Sequence, residues 1–377
     1  LEIPHHSVYN GNIVGDFPCL TQCDTITFER NTMRTLALSD EILMKVDKAA
    51  RYIGGEVNSV MKDKNKVDIR FAMCFPDVYE IGMSNLGMMI LYNMFNERED
   101  VWAERVFSPW LDLDKIMREK EIPLFALESQ EPVKNFDFLG ITLGYEMCYT
   151  NVLQVLDLSH VSLLAKDREE DDPIVIGGGA CAYNPEPIAE FFDMFYIGEG
   201  ETVYDALFDA YKANKAAGGS RKDFLFAASQ IPGIYVPSLY NVTYKEDRTI
   251  ASFTPAREGV PEKVCKQLIT DITKEYRAIK APVVPFIKAT QDRVTLEIQR
   301  GCIRGCRFCQ AGMIYRPTRE RDVETLKASA REMLQNTGHE EISLSSLSSS
   351  DYSELKELVN FLIEEFHGNA VNISLPS

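Results

Sequence analysis

Between residues 67 and 216, short apolar segments alternate with stretches whose apolar positions recur with a helical period. The segments have the length and composition of buried β-strands: VDIRFAMCF (67–75), VWAERVF (101–107), PLFAL (123–127), FDFLGITL (136–143), PIVIGG (173–178) and DMFYIG (193–198). Helices are predicted near 85–96, 112–120, 150–164 and 201–213. Because strands buried on both faces belong to parallel sheets covered by helices, we predict a doubly wound, Rossmann-like α/β domain over residues 66–216. Ligands of such sheets bind beyond the carboxyl ends of the strands.

The preceding segment, residues 33–65, predicts an amphipathic helix that ends at Gly54. Residues 1–32 come before this pattern in a chain that begins with Leu1, so we expect them to be an extension that is disordered or a non-native start. The cysteines of this extension have no nearby partners in the sequence, and no function is assigned to them.

The second half of the chain resumes the alternation after a different kind of segment. Residues 217–291 predict a β-hairpin with a Lys-Glu-Asp-Arg turn, followed by a proline-containing connector. From residue 292 the pattern predicts strands RVTLEI (293–298), EISL (341–344) and AVNISL (370–375), with one helix from 323 that ends at Gly338 and a second from 355 that ends at Gly368. Three parallel strands cannot close a barrel. We therefore expect residues 292–377 to be the N-terminal part of a (β/α) barrel, truncated after about three strands, with the C-terminal remainder missing from this chain.

Composition narrows the classes of function. The 377 residues are 45% hydrophobic, and because no run of 18 apolar residues occurs, we expect no membrane span. The formal net charge of −17 does not indicate a nucleic-acid partner. The nine cysteines are mostly scattered, which is typical of buried thiols in a reducing cytoplasm rather than of a disulfide framework.

Three of the cysteines stand together in RGCIRGCRFCQAG (300–312). Cys302, Cys306 and Cys309 directly follow a predicted strand, at the end where barrel enzymes place their chemistry. A disulfide would leave one thiol unpaired, and structural zinc requires a fourth ligand that the nearby sequence does not supply. An iron–sulfur cubane held by three thiolates would keep one iron open for a ligand or substrate. The spacing favours this third alternative.

The pattern Cys302-x-x-x-Cys306-x-Phe308-Cys309 resembles the signature of the radical S-adenosylmethionine (SAM) enzymes. The resemblance implies a [4Fe-4S] cluster whose open iron binds the amino and carboxylate groups of SAM. It also implies that one electron from the cluster cleaves SAM into methionine and a 5′-deoxyadenosyl radical. In this family the aromatic residue, here Phe308, packs near the adenine.

Two further groups are candidates for SAM binding under this resemblance. Ser345 and Ser346 belong to SSLSSSD (345–351), where family members carry a glycine-glycine-glutamate-like segment near the SAM amino group. Serine hydroxyls and backbone carbonyls can also bond the SAM amino group. The alternative is a serine-rich helix entry with Ser350 or Asp351 as the cap, which would explain the segment without a ligand. Arg319 is a candidate partner of the SAM carboxylate, and the alternative for it is a solvated turn.

The predicted front domain resembles cobalamin-binding domains. The segment DVYEIG (77–82) is similar to their DxHxxG motif, with Tyr79 in the place of the histidine that ligates cobalt. Because tyrosine is not a usual cobalt ligand, the resemblance supports cobalamin only in a mode without a protein ligand below the metal. The residues that it assigns to a corrinoid site are Asp77, Tyr79, Gly82, Thr142, Gly177, Gly178, Gly179, Gly198 and Glu199.

Taken together, the motifs resemble a bacterial family of radical SAM proteins with a cobalamin-binding-like front domain. This resemblance implies no particular reaction or substrate. It implies an enzyme that uses SAM and a [4Fe-4S] cluster, with cobalamin as a candidate cofactor and methylation as the outcome in that case. A catalytically silent cluster- or cobalamin-binding module is the alternative. A reductant such as flavodoxin or ferredoxin is the expected partner, and no catalytic residue is assigned.

Overall fold

The apolar segments of the first half of the chain form a six-stranded sheet in the computed structural model, which describes residues 37–369 and 371–375. We call it the front sheet, and its strands are β1 (Ile69–Phe75), β2 (Val101–Phe107), β3 (Phe138–Thr142), β4 (Ile174–Gly178), β5 (Met194–Tyr196) and β6 (Ile234–Tyr235). The order is β2-β1-β3-β4-β5-β6, with β1 to β5 parallel and β6 antiparallel to β5. Every residue of β1 and β2 is buried, as expected for strands covered on both faces.

Helices alternate with these strands, which confirms an α/β fold. They are α1 (Asp40–Leu43), α2 (Tyr79–Gly82), α3 (Leu86–Glu97), α4 (Leu111–Lys120), α5 (Tyr149–Leu158), α6 (Tyr204–Ala216) and α7 (Arg221–Ala228). The strand order reverses between β1 and β3, and open α/β sheets bind ligands beyond the carboxyl ends of the strands at such a reversal. The sheet extends past the predicted boundary at residue 216, because the pairing of Tyr235 with Phe195 covers the edge of β5.

The segment PLFAL (123–127), which was expected to be a strand, is not one. Phe125 forms a single bridge with Pro132. The Glu128 side chain pairs with the neighbouring backbone instead, since its Oε2 accepts a hydrogen bond of 2.7 Å from the backbone N–H of Arg105 in β2. The backbone N–H of Leu127 also donates to the carbonyl of Arg105 at 2.8 Å, so the segment contacts β2 through one backbone bond and the Glu128 side chain rather than through a strand ladder.

The predicted N-terminal helix is wrong in extent. Asp40–Leu43 is helical, but Ala49–Arg51 is a separate 3₁₀ turn. Lys48, before this turn, has non-helical backbone angles, and Lys48 and Arg51 both pair with Glu80 in α2, at 2.9 and 2.8 Å. Tertiary ion pairing therefore overrides the helical pattern of this segment. The expected extension, residues 1–32, lies outside the described residues.

The helix predicted to run from 150 to 164 is shorter than expected. It ends at Leu158, and the backbone N–H of His160 bonds to the carbonyl of Asp157 at 3.0 Å. His160 has a left-handed φ of 55°, a conformation in which an α-helix cannot continue. The chain turns there toward β4.

The segment after the front sheet contains the predicted hairpin. Its elements are β7 (Tyr240–Tyr244), β8 (Ile250–Pro255) and α8 (Ile272–Glu275). β7 and β8 pair antiparallel, which confirms the hairpin. The connector then returns twice to the first half of the chain, since Gln267 bridges Gly198 and Val284 bridges Val57. The first bridge brings the connector beside the end of β5, and the second brings it beside the segment that precedes β1.

The last part of the chain forms a second parallel sheet, which we call the rear sheet. The elements of this part are β9 (Val294–Glu297), β10 (Gln299–Arg300), α9 (Ala311–Ile314), β11 (Arg319–Glu320), α10 (Val323–Thr337), β12 (Glu341–Ser345), α11 (Leu355–Phe366) and β13 (Asn372–Ser374). The rear sheet has the parallel order β13-β12-β9, and β10 pairs antiparallel with β11. Gly338, with φ of 70°, ends α10 as expected. In the described part of the chain, no helix is long and apolar enough to cross a lipid bilayer.

Candidate functional site

The three clustered cysteines lie in a loop that follows the short strand β10. We call residues 301–310 the cysteine loop. Its first residue, Gly301, has a left-handed φ of 89°, and an added Cβ would lie 2.7 Å from the carbonyl oxygens of Tyr315 and Pro317. Only glycine fits this close approach of two backbone segments. The chain therefore turns sharply just before Cys302.

All three thiols are free and accessible. Cys302 and Cys309 are half-buried, and Cys306 is exposed. Backbone N–H groups point at two of the sulfurs, since Arg304 N lies 3.5 Å from Cys302 Sγ and Gly312 N lies 3.4 Å from Cys309 Sγ. Within residues 37–369 and 371–375, no three Cys, His, Asp or Glu side chains are arranged to hold a single metal ion. The loop therefore presents three separate sulfur atoms, two of which have a backbone N–H group directed at them.

A salt bridge ties the cysteine loop to the serine-rich segment after β12. Arg304 Nε donates to Asp351 Oδ2 at 2.8 Å, and a second nitrogen of Arg304 bonds the other carboxylate oxygen. Asp351 also accepts a hydrogen bond of 2.8 Å from Ser348 Oγ. The alternative that Asp351 caps α11 is wrong, because Glu354 precedes that helix and no side chain caps it. Asp351 holds the cysteine loop instead.

Buried ion pairs join the start of the cysteine loop to the loop that follows β5. Arg300 pairs with Glu297 at 2.8 Å, with Glu201 at 2.9 Å and with Glu199 at 3.3 Å. Arg319 in β11 forms a bidentate pair with Glu199, at 2.6 and 2.8 Å. We call Glu199, Glu201, Arg300 and Arg319 the clasp. The clasp fixes the segment that carries the cysteines to the first half of the chain.

The buried charges of the clasp stabilise one another. Burial opposes ionisation of Glu199, but hydrogen bonds from Arg319 and the charge of Arg300 outweigh it and hold the pKa of this carboxyl below its ordinary value. Burial also disfavours the charged form of Arg300, yet Glu297 and Glu201 raise the pKa of its guanidinium overall. Both signs of charge therefore persist at neutral pH, and removal of one partner leaves a buried charge without neutralisation.

A cavity of about 480 Å³ lies where the carboxyl ends of the two sheets meet. Its front wall comes from β1, β3, β4, α3 and the loop after β5, and its rear wall comes from β9, β10 and the segment at the end of β12. This position coincides with the reversal of strand order between β1 and β3, where ligands of open α/β sheets bind. The volume lies within the range of small-molecule sites.

The cavity brings together candidates from distant parts of the sequence. Those that line it are Thr142, Gly178, Gly179, Gly198, Glu199, Ser345 and Ser346. At Gly178 the wall is open, since an added Cβ would find its nearest neighbour, the Tyr204 hydroxyl, 3.9 Å away. The predicted site residues that do not line the cavity are Cys302, Cys306, Cys309, Phe308, Arg319, Asp77, Tyr79, Gly82 and Gly177. The cysteine loop nevertheless begins at the cavity, because Gly301 is part of its wall.

Arg319 contacts the first half of the chain. The alternative of a solvated turn is wrong, because Arg319 and Arg321 are both buried. The guanidinium carbon of Arg321 lies 4.1 Å from the ring centroid of Tyr276, a cation–π contact. The guanidinium of Arg319, a candidate for the SAM carboxylate, is occupied by Glu199 and by the carbonyl of Ile269 at 2.6 Å.

Tyr79 is buried in the interior of the first half of the chain. Its hydroxyl donates to Glu56 Oε1 at 2.9 Å, and Glu56 pairs with the fully buried Arg105 at 2.8 Å. Burial, together with the charge of Glu56, raises the pKa of Tyr79. The tyrosine that replaces the cobalt-ligating histidine of the resembled motif is therefore a member of a buried polar network.

The other candidates outside the cavity have different surroundings. Gly82 and Gly177 allow close packing, because an added Cβ at either position would meet a phenylalanine ring. Asp77 accepts a hydrogen bond from the Tyr145 hydroxyl at the surface. Phe308 in the cysteine loop is 93% exposed. An aromatic side chain so exposed beside the three thiols can contact a bound molecule there.

The sequence did not indicate four polar residues that line the cavity, namely Glu201, Glu297, Gln299 and Arg300. The last three belong to EIQRG (297–301), in which polar side chains replace the apolar alternation of the strand just before the cysteines. Polar residues at the carboxyl end of a buried strand indicate that chemistry lies there. This signal could have identified the cavity wall, although the partners of these residues depend on the fold.

Comparison with known proteins gives two family matches. Residues 87–237 match a model described as radical SAM proteins, N-terminal, and residues 296–376 match the radical SAM superfamily. The uncharacterized protein MJ0966 of Methanocaldococcus jannaschii is 28% identical over 294 residues, which are 77% of this chain and 52% of that protein. The chain spans about half the length of this curated relative.

Two solved structures are also similar to the chain. Both are of the radical S-adenosylmethionine methyltransferase TsrM from Kitasatospora setae, one with a tryptophan substrate and a SAM analog bound and the other with cobalamin and a [4Fe-4S] cluster bound. The sequence identity is 13% in both cases, and the TM-scores are 0.44 and 0.46. The matches cover 81% of this chain and 54% of the TsrM chain.

Proposed function

Because this chain belongs to the radical SAM superfamily, we propose that Cys302, Cys306 and Cys309 hold a [4Fe-4S] cluster and that the protein is a radical SAM enzyme. The observation that carries the proposal is the cysteine loop, with three free thiols within the region that matches the radical SAM superfamily. Three thiolates fit a cubane that keeps one iron open. When bound, such a cluster supplies the electron that cleaves SAM into methionine and a 5′-deoxyadenosyl radical.

The chain's own residues support the thiolates and fix their position. The backbone N–H groups of Arg304 and Gly312 donate to the sulfurs of Cys302 and Cys309, which restrains the positions of these two side chains. The pair between Arg304 and Asp351 restrains the middle of the loop. The clasp restrains its start, because Arg300 is buried among carboxylates. The start of the cysteine loop is thereby held at the cavity wall, to which Gly301 belongs.

We place SAM between the cysteine loop and the rear wall of the cavity. Ser345 and Ser346 line this wall, and their hydroxyl and backbone groups can bond the amino and carboxylate groups of SAM. The Ser346 hydroxyl lies 3.2 Å from Ser349 Oγ, which restricts its orientation. Phe308, exposed beside the thiols, is suited to pack on the adenine.

Cobalamin is the second cofactor that we propose for the cavity, with methyl transfer as the outcome when it is bound. The open backbone at Gly178 and the Thr142 side chain on the front wall suit the approach of a bulky ligand. Tyr79 does not fit the role of cobalt ligand, because its hydroxyl is buried on Glu56. A corrinoid in this cavity therefore takes no ligand from Tyr79, in agreement with the departure of the sequence from the DxHxxG motif.

The finer architecture and the setting belong to the same proposal. We assign the front sheet and its helices to a Rossmann-like, cobalamin-binding-like domain, and residues 292–377 to the start of a (β/α) barrel. A low-potential electron donor such as flavodoxin or ferredoxin would reduce the cluster. No substrate is assigned. Cytoplasmic location is proposed because all seven cysteines of the described residues are free thiols, as is usual in a reducing compartment.

Formation of 5′-deoxyadenosine tests the proposed function. After anaerobic reconstitution with iron and sulfide, the reduced protein is expected to convert added SAM into 5′-deoxyadenosine and methionine, measured by liquid chromatography with mass detection. A sample without reductant is the control, because cleavage requires one electron from the cluster. A fully loaded cluster that yields no 5′-deoxyadenosine would favour a catalytically silent binding module.

A further inference from the structure

Gln299 is a buried polar side chain without a protein partner. It lies in β10, is 1% exposed and lines the cavity. In the described part of the chain, neither its Oε1 nor its Nε2 has a hydrogen-bond partner. Its backbone is paired with Glu320 of β11, which fixes its place on the cavity wall. The carboxamide therefore offers one donor group and one acceptor group at a defined position.

An unpaired buried carboxamide is unfavourable, because its polar atoms lose their hydrogen bonds to water on folding. Folded proteins usually satisfy such atoms with protein groups, ordered water or a ligand. Neighbouring polar side chains of the rear wall already have partners, since Arg300 bonds Glu297 at 2.8 Å and Ser346 lies 3.2 Å from Ser349 Oγ. The Gln299 carboxamide is therefore available to form hydrogen bonds with a molecule that enters the cavity.

We propose that Gln299 pairs with the ligand of this cavity through both of its polar groups and thereby determines which ligand binds. A carboxamide presents a donor beside an acceptor, so its complement is a planar group with an acceptor beside an N–H donor. The adenine edge of SAM and the primary amides around a corrin ring both have this chemistry. The inference rests on the proposed function, because it takes SAM or a corrinoid as the occupant of the cavity.

The substitution Gln299→Met tests the inference, since methionine has a similar length and volume but no carboxamide. The matched control is Gln130→Met. Gln130 is also buried, but its Nε2 donates to the carbonyls of Tyr52 and Leu127, at 3.2 and 2.9 Å, and it does not line the cavity. Binding of S-adenosylhomocysteine is measured by calorimetry and binding of hydroxocobalamin by absorbance, both with cluster-loaded protein.

Gln299→Met is expected to weaken binding of at least one probe about tenfold or more, and Gln130→Met to weaken neither. Loss of affinity for S-adenosylhomocysteine identifies the adenine edge, and loss for hydroxocobalamin identifies the corrin amides. Unchanged dissociation constants for both probes, or no binding of either to the wild type, would overturn the inference. Iron content separates the two proposals, since a wild-type protein that takes up no iron contradicts the proposed function itself.

A second measurement does not depend on the probe. In the protein without ligand, the unpaired carboxamide contributes no hydrogen bond, so Gln299→Met is expected to show the wild-type Tm or a higher one. Gln130→Met loses two hydrogen bonds and is expected to show a lower Tm. If Gln299→Met lowered the Tm as much as Gln130→Met, the carboxamide would already be satisfied within the fold and the inference would be wrong.

Discussion

Replacement of Cys306 by alanine is expected to abolish iron–sulfur loading. The wild type, reconstituted anaerobically, should contain about four iron and about four sulfide per chain, because three thiolates and one open iron define a cubane. Cys306 is the exposed member of the three thiols. Without it, two thiolates would have to hold four irons, and the cluster should be lost. Iron and sulfide assays on the desalted protein measure the effect.

Cys265→Ala is the matched control for this experiment. Cys265 is also an exposed free thiol, but it lies outside the cysteine loop. This variant should load iron and sulfide like the wild type. Normal loading of Cys306→Ala, or equal loss in both variants, would contradict ligation by the loop. A wild type that contains zinc and no sulfide would instead establish the structural-zinc alternative.

The second large effect is expected for Glu199→Gln, which removes the central carboxylate of the clasp. Arg319 would keep its burial but lose the bidentate partner at 2.6 and 2.8 Å, and Arg300 would lose one of three carboxylates. Breaking a buried pair on one side leaves a desolvated charge, so we expect the free energy of unfolding to fall by about 3–5 kcal/mol. Urea denaturation at neutral pH, followed by circular dichroism, measures this change.

Glu365→Gln is the control, because it removes a pair of similar length, 2.6 Å to Arg331, in which both side chains are exposed. Exposed pairs contribute little, so no measurable change is expected. The pH dependence gives an independent check. Since the folded-state pKa of Glu199 is lowered from 4.5, its contribution is present above pH 4.5 and is lost as the pH falls below that value. The difference in the free energy of unfolding between wild type and Glu199→Gln should therefore shrink as the pH falls below 4.5. Equal stability of the two proteins at neutral pH would contradict a stabilising role for the clasp.

The strands and helices of the regular α/β segments followed from the sequence because their apolar patterns are local. β1 and β9 lie at the positions that short apolar segments predicted, and α10 ends at Gly338 as predicted. PLFAL (123–127) failed as a strand because Glu128, which lies outside the run, pairs with the β2 backbone. Local periodicity contains no information about such a side-chain contact.

The candidate site was predictable where a motif is compact and not where partners come from distant segments. The spacing of Cys302, Cys306 and Cys309 identified the loop directly. Arg319 was expected to meet SAM, but its partner Glu199 lies 120 residues away, and only the fold brings the two together. Tyr79 marked a departure from the cobalamin motif, and the structure adds the physical reason, since its hydroxyl bonds the buried Glu56.

Electron paramagnetic resonance of the reduced protein, recorded with and without SAM, tests most directly whether the cysteine loop holds a cubane with one iron open to SAM. Dithionite reduction should give the signal of a single [4Fe-4S] cluster. Because SAM would bind the iron that no cysteine ligates, we predict that the g-values shift when SAM is added. A cluster signal that SAM leaves unchanged, or no cluster signal from reconstituted wild-type protein, would contradict this function.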